Sequence, residues 1–241
     1  TKGILADGKV AIIYGARQTG KTTLAKALLS SAANGVYLNC DEPDVRERLT
    51  NKTSTELQTL FTNADTVVID EAQRVINIGL TAKLIHDTFP EKKLLLTGSS
   101  SIDLANTIKE PLTGRARELI LYPLALSEVA SDTLEASRLQ EKNLILGGYP
   151  GIWQLPHDKA VTYLRDLANN YLYRDAFAAK TIFDTTKMDN LLQLLAYQIG
   201  DEVSYNEIAS HLEIAKETVM RYIDLLEKAF IIFRVNQYRK N

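Results

Sequence analysis

Short apolar runs alternate with amphipathic stretches through the first half of the chain. Five runs rich in aliphatic and β-branched residues predict strands: Val10 to Tyr14, Gly35 to Asn39, Thr66 to Asp70, Lys93 to Thr97 and Glu118 to Tyr122. Such short, continuously apolar runs are typical of strands that are buried on both faces of a parallel sheet. The stretches between them have helical periodicity, which indicates βαβ units. The pattern therefore predicts an α/β fold with a parallel five-stranded sheet.

The helices predicted between these strands lie at about 21–32, 43–49, 54–61, 80–88 and 102–108. One of them has a recognisable start, because Thr53 and Glu56 have the spacing of a capping box. In that motif the hydroxyl and the carboxylate satisfy backbone N–H groups that the first helical turn leaves unpaired.

After Tyr122 the apolar period is helical for most of the remaining chain, which predicts a second, mainly α-helical region. Gly147-Gly148-Tyr149-Pro150-Gly151 is the most concentrated turn sequence and favours a hinge or boundary. The predicted organisation is a core at residues 1–125, a helical lid or linker at 126–185 and a small domain at 186–241.

The last segment has the pattern of a winged helix. Ser204 and Glu207 form a second predicted capping box, which opens a short helix ending at Leu212. A tight turn then leads to a longer helix from Lys216 to Ala229, and an apolar run from Phe230 to Val235 predicts a strand. Short helix, turn, longer helix and strand is the order expected of this DNA-binding or protein-binding module.

Composition and charge limit the classes of protein to which this chain can belong. The sequence is 45% hydrophobic with a net charge of -2, so it has ample material for a core and lacks the basic excess of a dedicated nucleic-acid binder. Cys40 is the only cysteine, which excludes an internal disulfide framework and suits a reducing cytoplasm. No apolar run approaches the roughly 20 residues that span a bilayer. Since the chain starts with Thr1 and stops soon after an apolar run, we expect a fragment of a longer protein.

Residues 15–22, called the phosphate loop below, follow the first strand and open the first helix. Their sequence, Gly-Ala-Arg-Gln-Thr-Gly-Lys-Thr, has the Gly-x4-Gly-Lys-Thr spacing that cradles phosphates with backbone N–H groups. Lys21 is expected to contact the β- and γ-phosphates, and the Thr22 hydroxyl to ligate Mg²⁺. The candidate nucleotide-binding residues are Gly15, Ala16, Arg17, Gln18, Thr19, Gly20, Lys21, Thr22 and Thr23.

The third predicted strand ends in two acidic residues, Asp70 and Glu71. A carboxylate at the carboxyl end of such a strand can hold Mg²⁺, and a second acid beside it can polarise an attacking water. We assign the first role to Asp70 and the second to Glu71, which favours hydrolysis over simple binding. The alternative is that these acids merely terminate an exposed strand end.

Two further groups are candidates for catalysis. The fourth strand runs into Thr97-Gly98-Ser99, where the Thr97 or the Ser99 hydroxyl could sense the nucleotide state; Ser100 or Ser101 could equally cap the next helix. Arg115 precedes the last strand and could neutralise charge on the γ-phosphate, in its own subunit or a neighbour's, or could simply be solvated.

The nucleotide is predicted to be ATP, since Asn51-Lys52-Thr53-Ser54 precedes Asp70 and lacks the Asp of a guanine-binding Asn-Lys-x-Asp motif. His86, His157 and His211 have no ligand-like spacing, so no transition-metal site is expected.

The phosphate loop, Asp70-Glu71, Thr97-Gly98-Ser99 and Gly114-Arg115 together resemble the AAA+ superfamily. More narrowly, residues 15–24, Asp70-Glu71-Ala72-Gln73, residues 96–100 and Gly147-Gly148-Tyr149-Pro150 resemble a prokaryotic branch of uncharacterised ATPases. In that branch an AAA-like domain is followed by a winged helix and a C-terminal domain of unknown function. The resemblance implies a cytoplasmic ATPase that uses ATP and Mg²⁺, with the last domain truncated here.

Three functions fit these features. The first is Mg²⁺-dependent ATP hydrolysis that moves the helical region against the sheet, in a homo-oligomer if Arg115 acts on a neighbour. The second is a nucleotide-gated DNA-binding module, although Lys216, Arg221 and Lys228 on the predicted recognition helix are offset by acids on the same helix. The third is a protein-interaction role for the winged helix.

Overall fold

The computed structural model describes residues 3, 5, 7–99, 108, 110–168 and 184–235. The chain divides into two compact units, Thr1–Arg165 and Asp166–Asn241. Among the described residues no helix is long and apolar enough to cross a membrane.

The first unit is built on a parallel five-stranded sheet with the strand order β2-β3-β4-β1-β5. The strands are β1 (Val10–Tyr14), β2 (Gly35–Asn39), β3 (Thr66–Asp70), β4 (Lys93–Gly98) and β5 (Ala116–Ile120). All residues of β1 and β3 are buried, as predicted for strands covered on both faces. The predicted α/β fold is therefore confirmed.

The fifth strand differs from the prediction in position and burial. It begins at Ala116 instead of Glu118 and ends at Ile120 instead of Tyr122. The Val10 backbone N–H donates to the Arg115 carbonyl at 2.9 Å, so pairing with β1 starts earlier than the apolar pattern suggests. As an edge strand it is partly exposed, which explains why its apolar signal is displaced.

The described helices of the first unit cover the sheet or follow it. They are α1 (Lys21–Leu29), α2 (Pro43–Leu49), α3 (Ser54–Leu60), α4 (Ile78–Thr88), α5 (Leu126–Val129), α6 (Thr133–Leu146) and α7 (His157–Leu167). The capping box at α3 is confirmed: the Glu56 N–H donates to the Thr53 hydroxyl at 3.3 Å, and the Thr53 N–H to the Glu56 carboxylate at 2.9 Å. The helix predicted at 102–108 lies outside the described residues, apart from residue 108.

Strand register determines where the functional segments meet. Tyr14 pairs with Gly98, Asn39 with Asp70 and Ile69 with Leu96, so β1, β3 and β4 end at the same edge of the sheet. The phosphate loop, the acidic pair and the end of β4 therefore converge at this carboxyl edge, which is where ligands bind in open parallel sheets.

The Gly147–Gly151 turn lies between α6 and α7. Gly147 ends α6 with φ 74°, and Pro150–Ile152 forms a 3-10 turn. A small apolar cluster follows from this arrangement: buried Leu146, Ile152 and Ala160, with Tyr149, Trp153, Leu155, Tyr163 and Leu164 packed against them. The cluster joins both helices to the turn.

The second unit contains α8 (Thr185–Tyr197), α9 (Tyr205–Leu212) and α10 (Lys216–Lys228). Its apolar core includes Met188, Ile208, Val219, Ile223 and Leu226. At the start of α9 the Glu207 N–H donates to the Ser204 hydroxyl at 3.4 Å, as expected of a cap. The predicted short helix, turn and longer helix are present and form a helix–turn–helix, whereas the winged helix as a whole stays a prediction.

The strand predicted from Phe230 to Val235 was wrong, since these residues are described and lie in no strand. Phe230 has a left-handed φ of 60°, and the Ile231 N–H donates to the Leu226 carbonyl at 2.9 Å. The chain thus closes off α10 and turns back, and Arg234 pairs with Glu227 of that helix. The hydrogen bonds that end α10 therefore determine the local conformation, although the apolar residues favour a strand.

Candidate nucleotide site

The phosphate loop connects β1 to α1 in a conformation that needs its glycines. A β-carbon on Gly15 would lie 2.3 Å from the Leu121 carbonyl oxygen, so only glycine fits the exit from the strand. Gly20 has φ 96° and is the N-cap of α1. The loop therefore ends with the N–H groups of a helix N-terminus available to an anion.

Lys21, the first residue of α1, is folded into the loop. Its Nζ donates to the Gly15 carbonyl at 3.0 Å and to the Ala16 carbonyl at 2.7 Å, and the residue is only 5% exposed. These contacts hold one positive charge inside the loop, beside the N-terminus of the helix. The position is suited to pairing with phosphate oxygens.

Asp70 lies at the end of β3 and connects to the loop through its side chain. It is 3% exposed, and its Oδ2 accepts a hydrogen bond from the Thr22 hydroxyl at 2.8 Å. Thr97 donates to Oδ1 and Tyr37 donates to Oδ2. Carboxylate and hydroxyl oxygens are the donors that Mg²⁺ prefers, so the Thr22 and Asp70 oxygens fit a shared magnesium site.

Glu71 follows Asp70 in a left-handed conformation, with φ 53°. Its Oε2 accepts from Gln73 Nε2 at 2.5 Å and from the Ser99 hydroxyl at 3.3 Å. Gln73 Nε2 also donates to the Ser99 Oγ at 3.1 Å, which closes a triangle of polar groups. The Glu71 carboxylate is consequently held in place by two neighbours beside the acid of β3.

The two hydroxyls at the end of β4 have different partners. Thr97 is fully buried; it contacts the Asp70 carboxylate and accepts from the Glu71 N–H at 3.2 Å. Ser99 is 2% exposed and contacts the Glu71 carboxylate. Both predicted candidates thus lie at the acidic pair, whereas the capping alternative for Ser100 and Ser101 lies outside the described residues.

The structure places Arg115 away from the other predicted site residues. Arg115 comes directly before β5, and its carbonyl pairs with Val10 at the start of β1, whereas the phosphate loop follows the end of β1. Five residues of strand separate the two edges by about 16 Å. Its Nε pairs with Asp87 at 2.8 Å. The strand register therefore places Arg115 at the edge of the sheet opposite to the phosphate loop, and its catalytic role stays a prediction.

The helical region contacts the phosphate loop through one pair of side chains. The Tyr163 hydroxyl of α7 donates to the Gln18 Oε1 at the apex of the loop, where Gln18 has φ 61°. A β-carbon on Gly151 would lie 2.6 Å from the Tyr163 hydroxyl oxygen, so the glycine leaves space for this side chain. The Gly147–Gly151 turn thus has a defined packing role next to the loop.

Sequence reasoning assigned no role to three residues that contact the site: Tyr37, Gln73 and Tyr163. Gln73 stands two positions after Glu71, and this spacing is a signal that could have been used. Tyr37 and Tyr163 reach the site only through strand register and helix packing, which a single sequence does not specify.

Burial changes the acidity of two groups around Asp70. Burial and the hydrogen bond to Asp70 raise the pKa of Tyr37 well above its ordinary value, so its hydroxyl stays protonated and donates. Burial and the nearby Asp70 charge raise the pKa of the Cys40 thiol to about 12. Cys40 is fully buried and remains a neutral thiol in the core.

Comparison with known proteins assigns family models to both halves of the chain. A family model described as an AAA domain matches residues 7–130, and one described as a domain of unknown function (DUF8612) matches residues 137–241. The uncharacterized protein Rv2008c of Mycobacterium tuberculosis is 27% identical over 235 residues, which cover 96% of this chain and 51% of that protein. The uncharacterized protein MJ1637 of Methanocaldococcus jannaschii is 27% identical over 273 residues, which cover 94% of this chain and 56% of that protein. The chain spans about half the length of these curated relatives.

Among solved structures, the Walker-type ATPase PABY2304 of Pyrococcus abyssi has a similar fold. Its TM-score is 0.54 at 21% identity, and the match covers 95% of this chain and 87% of that chain. This likeness shows a shared P-loop ATPase fold. Because the AAA domain match covers more than half of the sequence and contains the phosphate loop, Asp70, Glu71, Thr97 and Ser99, the chain belongs to the AAA domain family of P-loop ATPases.

Proposed function

We propose that this chain binds ATP with Mg²⁺ and hydrolyses it to ADP and phosphate. The observation that carries the proposal is the 2.8 Å hydrogen bond from Thr22 to Asp70, which joins the phosphate loop to the acidic end of β3. It puts two oxygen ligands for a divalent cation next to a helix N-terminus suited to phosphates.

Binding follows from charge and backbone geometry. The backbone N–H groups of the loop and of the first turn of α1 surround the β-phosphate, and the Lys21 ammonium exchanges its bonds to the Gly15 and Ala16 carbonyls for bonds to phosphate oxygens. Thr22 and Asp70 would hold a Mg²⁺ ion, whose charge would offset that of the phosphates.

Hydrolysis requires a group that orients and deprotonates water. Glu71 is the candidate base: its carboxylate accepts the proton as the water oxygen bonds to the γ-phosphorus and the bond to the β,γ-bridging oxygen breaks. Gln73 and Ser99 both contact one oxygen, Oε2, which supports an orienting role for them. The Thr97 hydroxyl donates to the Asp70 carboxylate and accepts from the Glu71 N–H, so one hydroxyl connects the candidate metal ligand to the candidate base.

Equilibrium binding tests the first half of the proposal. A fluorescent ATP analogue titrated into the protein should bind with Mg²⁺ present, and unlabelled ATP should displace it. Displacement by GTP at the same concentration would contradict the choice of adenine, and no binding of either nucleotide would contradict the proposal itself.

We further propose that nucleotide binding moves the helical region through Tyr163. The Tyr163–Gln18 contact joins α7 to the apex of the loop, so any rearrangement of the loop around phosphates is passed to the apolar cluster behind it. Trp153, the single tryptophan of the sequence, belongs to that cluster and serves as a reporter.

Replacing Tyr163 with Phe should therefore uncouple the phosphate loop from the apolar cluster. We expect ATP to change the Trp153 emission of the unchanged protein and to change it far less in the Tyr163→Phe protein. ATP affinity should fall by about tenfold at most, because one neutral hydrogen bond is worth roughly 0.5–1.5 kcal/mol. Tyr149→Phe, in the same cluster, is the control; an undiminished emission change in Tyr163→Phe would reject the coupling.

An oligomer is proposed through Arg115. Arg115 lies at the edge of the sheet opposite to its own phosphate loop, which supports a contribution to a neighbouring copy, with the ion pair to Asp87 exchanged for contact with the γ-phosphate. Specific ATPase activity should then rise with protein concentration, and the Arg115→Ala protein should lose that rise. Activity independent of concentration in the unchanged protein would reject the role.

DNA binding through α10 is the second candidate, and the helix–turn–helix is the observation in its favour. Charge on that face is largely compensated, since Lys228 pairs with Asp224 at 2.7 Å and Arg234 pairs with Glu227. Lys216 and Arg221 are exposed. An ATPase rate that rises with added duplex DNA at low salt would favour this function over a protein-interaction role.

A further inference from the structure

Tyr37 of β2 contacts the magnesium-site carboxylate although nothing in the sequence around it signals a site. Its hydroxyl donates to Asp70 Oδ2 at 2.5 Å, alongside the 2.8 Å bond from Thr22 to the same oxygen. Thr97 donates to the other oxygen, Oδ1. Three hydroxyls from three elements therefore converge on one buried carboxylate.

The three donors are not equivalent once a metal binds. A carboxylate has about four acceptor positions, so three hydroxyls leave one for a cation or for its bound water. Thr22 is a candidate metal ligand, and its hydroxyl would coordinate the cation through an oxygen lone pair while still donating its hydrogen bond to Asp70. Tyr37 and Thr97 are not candidate ligands; they donate to one oxygen each and hold the carboxylate in its orientation.

The position of Tyr37 is set by the fold. Parallel pairing of β2 with β3 puts Tyr37 opposite Val68 and Asn39 opposite Asp70, so the tyrosine side chain reaches along the sheet toward the carboxyl edge. The Lys26 ammonium of α1 lies 4.9 Å from the centre of its ring. Contacts with the sheet and with α1 fix the ring, so the hydroxyl is delivered in a defined direction.

We infer that Tyr37 is a positioning residue that sets the Mg²⁺ affinity of the site by orienting Asp70. The inference rests on the proposed magnesium and ATP site. Groups that hydrogen-bond to metal ligands orient them, and their loss typically costs about 10–100-fold in metal affinity. The Tyr37 hydroxyl donates to Asp70 and has no proposed contact with the nucleotide, so its effect acts through the metal alone.

The test is a Mg²⁺ titration of the Tyr37→Phe protein at a fixed concentration of a fluorescent non-hydrolysable ATP analogue. We expect the Mg²⁺ concentration for half-maximal binding to rise by about tenfold or more. Analogue affinity in EDTA should equal that of the unchanged protein. Tyr197→Phe, which removes a hydroxyl from a side chain that is 86% exposed, is the matched control and should leave the titration unchanged.

Two results would overturn the inference. An unaltered Mg²⁺ midpoint would show that Asp70 needs no help from Tyr37, and a weaker affinity in EDTA would show that the tyrosine merely supports the loop. Both differ from failure of the proposed function, in which the unchanged protein itself binds the analogue without any response to Mg²⁺, or does not bind it.

Discussion

The Glu71→Gln protein is expected to bind ATP as tightly as the unchanged protein and to hydrolyse it about 10²–10⁴-fold more slowly. Glutamine keeps the size of the side chain and can still contact Gln73 and Ser99, so the loop and the metal ligands are undisturbed. It cannot accept a proton from water at neutral pH. The measurement is single-turnover phosphate release at saturating ATP and Mg²⁺.

Glu91→Gln is the matched control, because the substitution removes the same charge from a residue that is exposed in the turn before β4. It should leave turnover unchanged. Normal turnover in Glu71→Gln would reject Glu71 as the base, and a parallel loss of ATP affinity would show that the carboxylate supports the loop instead.

Lys21→Ala is expected to reduce both binding and hydrolysis. The ammonium is 5% exposed and lies inside the loop, so its loss leaves phosphate charge without its nearest side-chain cation. A hydrogen bond to a charged group is worth about 1.5–3 kcal/mol, which predicts an affinity lower by roughly 10–100-fold. The loss of transition-state stabilisation should lower turnover by a further factor on the order of 10²–10³.

Lys93→Ala provides the comparison for that variant, since Lys93 starts β4 at the opposite edge of the sheet and is exposed. Isothermal titration with ATP should separate the two proteins clearly. Equal affinities for Lys21→Ala and Lys93→Ala would place the nucleotide somewhere other than the phosphate loop.

The sheet and its functional edge could be predicted because they depend on local signals. Continuous apolar runs marked β1, β3 and β4, and parallel strands must end at a common edge, so the loop after Tyr14, the acids at Asp70 and the hydroxyl of Thr97 had to meet. The same reasoning left the choice between Thr97 and Ser99 open, and the structure shows that each serves a different acid.

The remaining features depend on contacts between distant parts of the chain. Tyr37 reaches Asp70 because of one register between neighbouring strands, and Tyr163 reaches Gln18 across 145 residues of sequence. The sequence shows that Arg115 precedes a strand. The direction of that strand decides at which edge of the sheet Arg115 lies. At residues 230–235 a helix cap took precedence over β-propensity, and a single sequence does not rank these two effects.

Whether the chain is a Mg²⁺-dependent ATPase with Glu71 as its base is tested by phosphate release from ATP, measured for the purified protein and for the Glu71→Gln protein, each with Mg²⁺ and with EDTA. We expect steady release that requires Mg²⁺ and that nearly disappears in Glu71→Gln although ATP remains bound. Release that continues in EDTA or in Glu71→Gln, or bound ATP that the unchanged protein never hydrolyses, would contradict it.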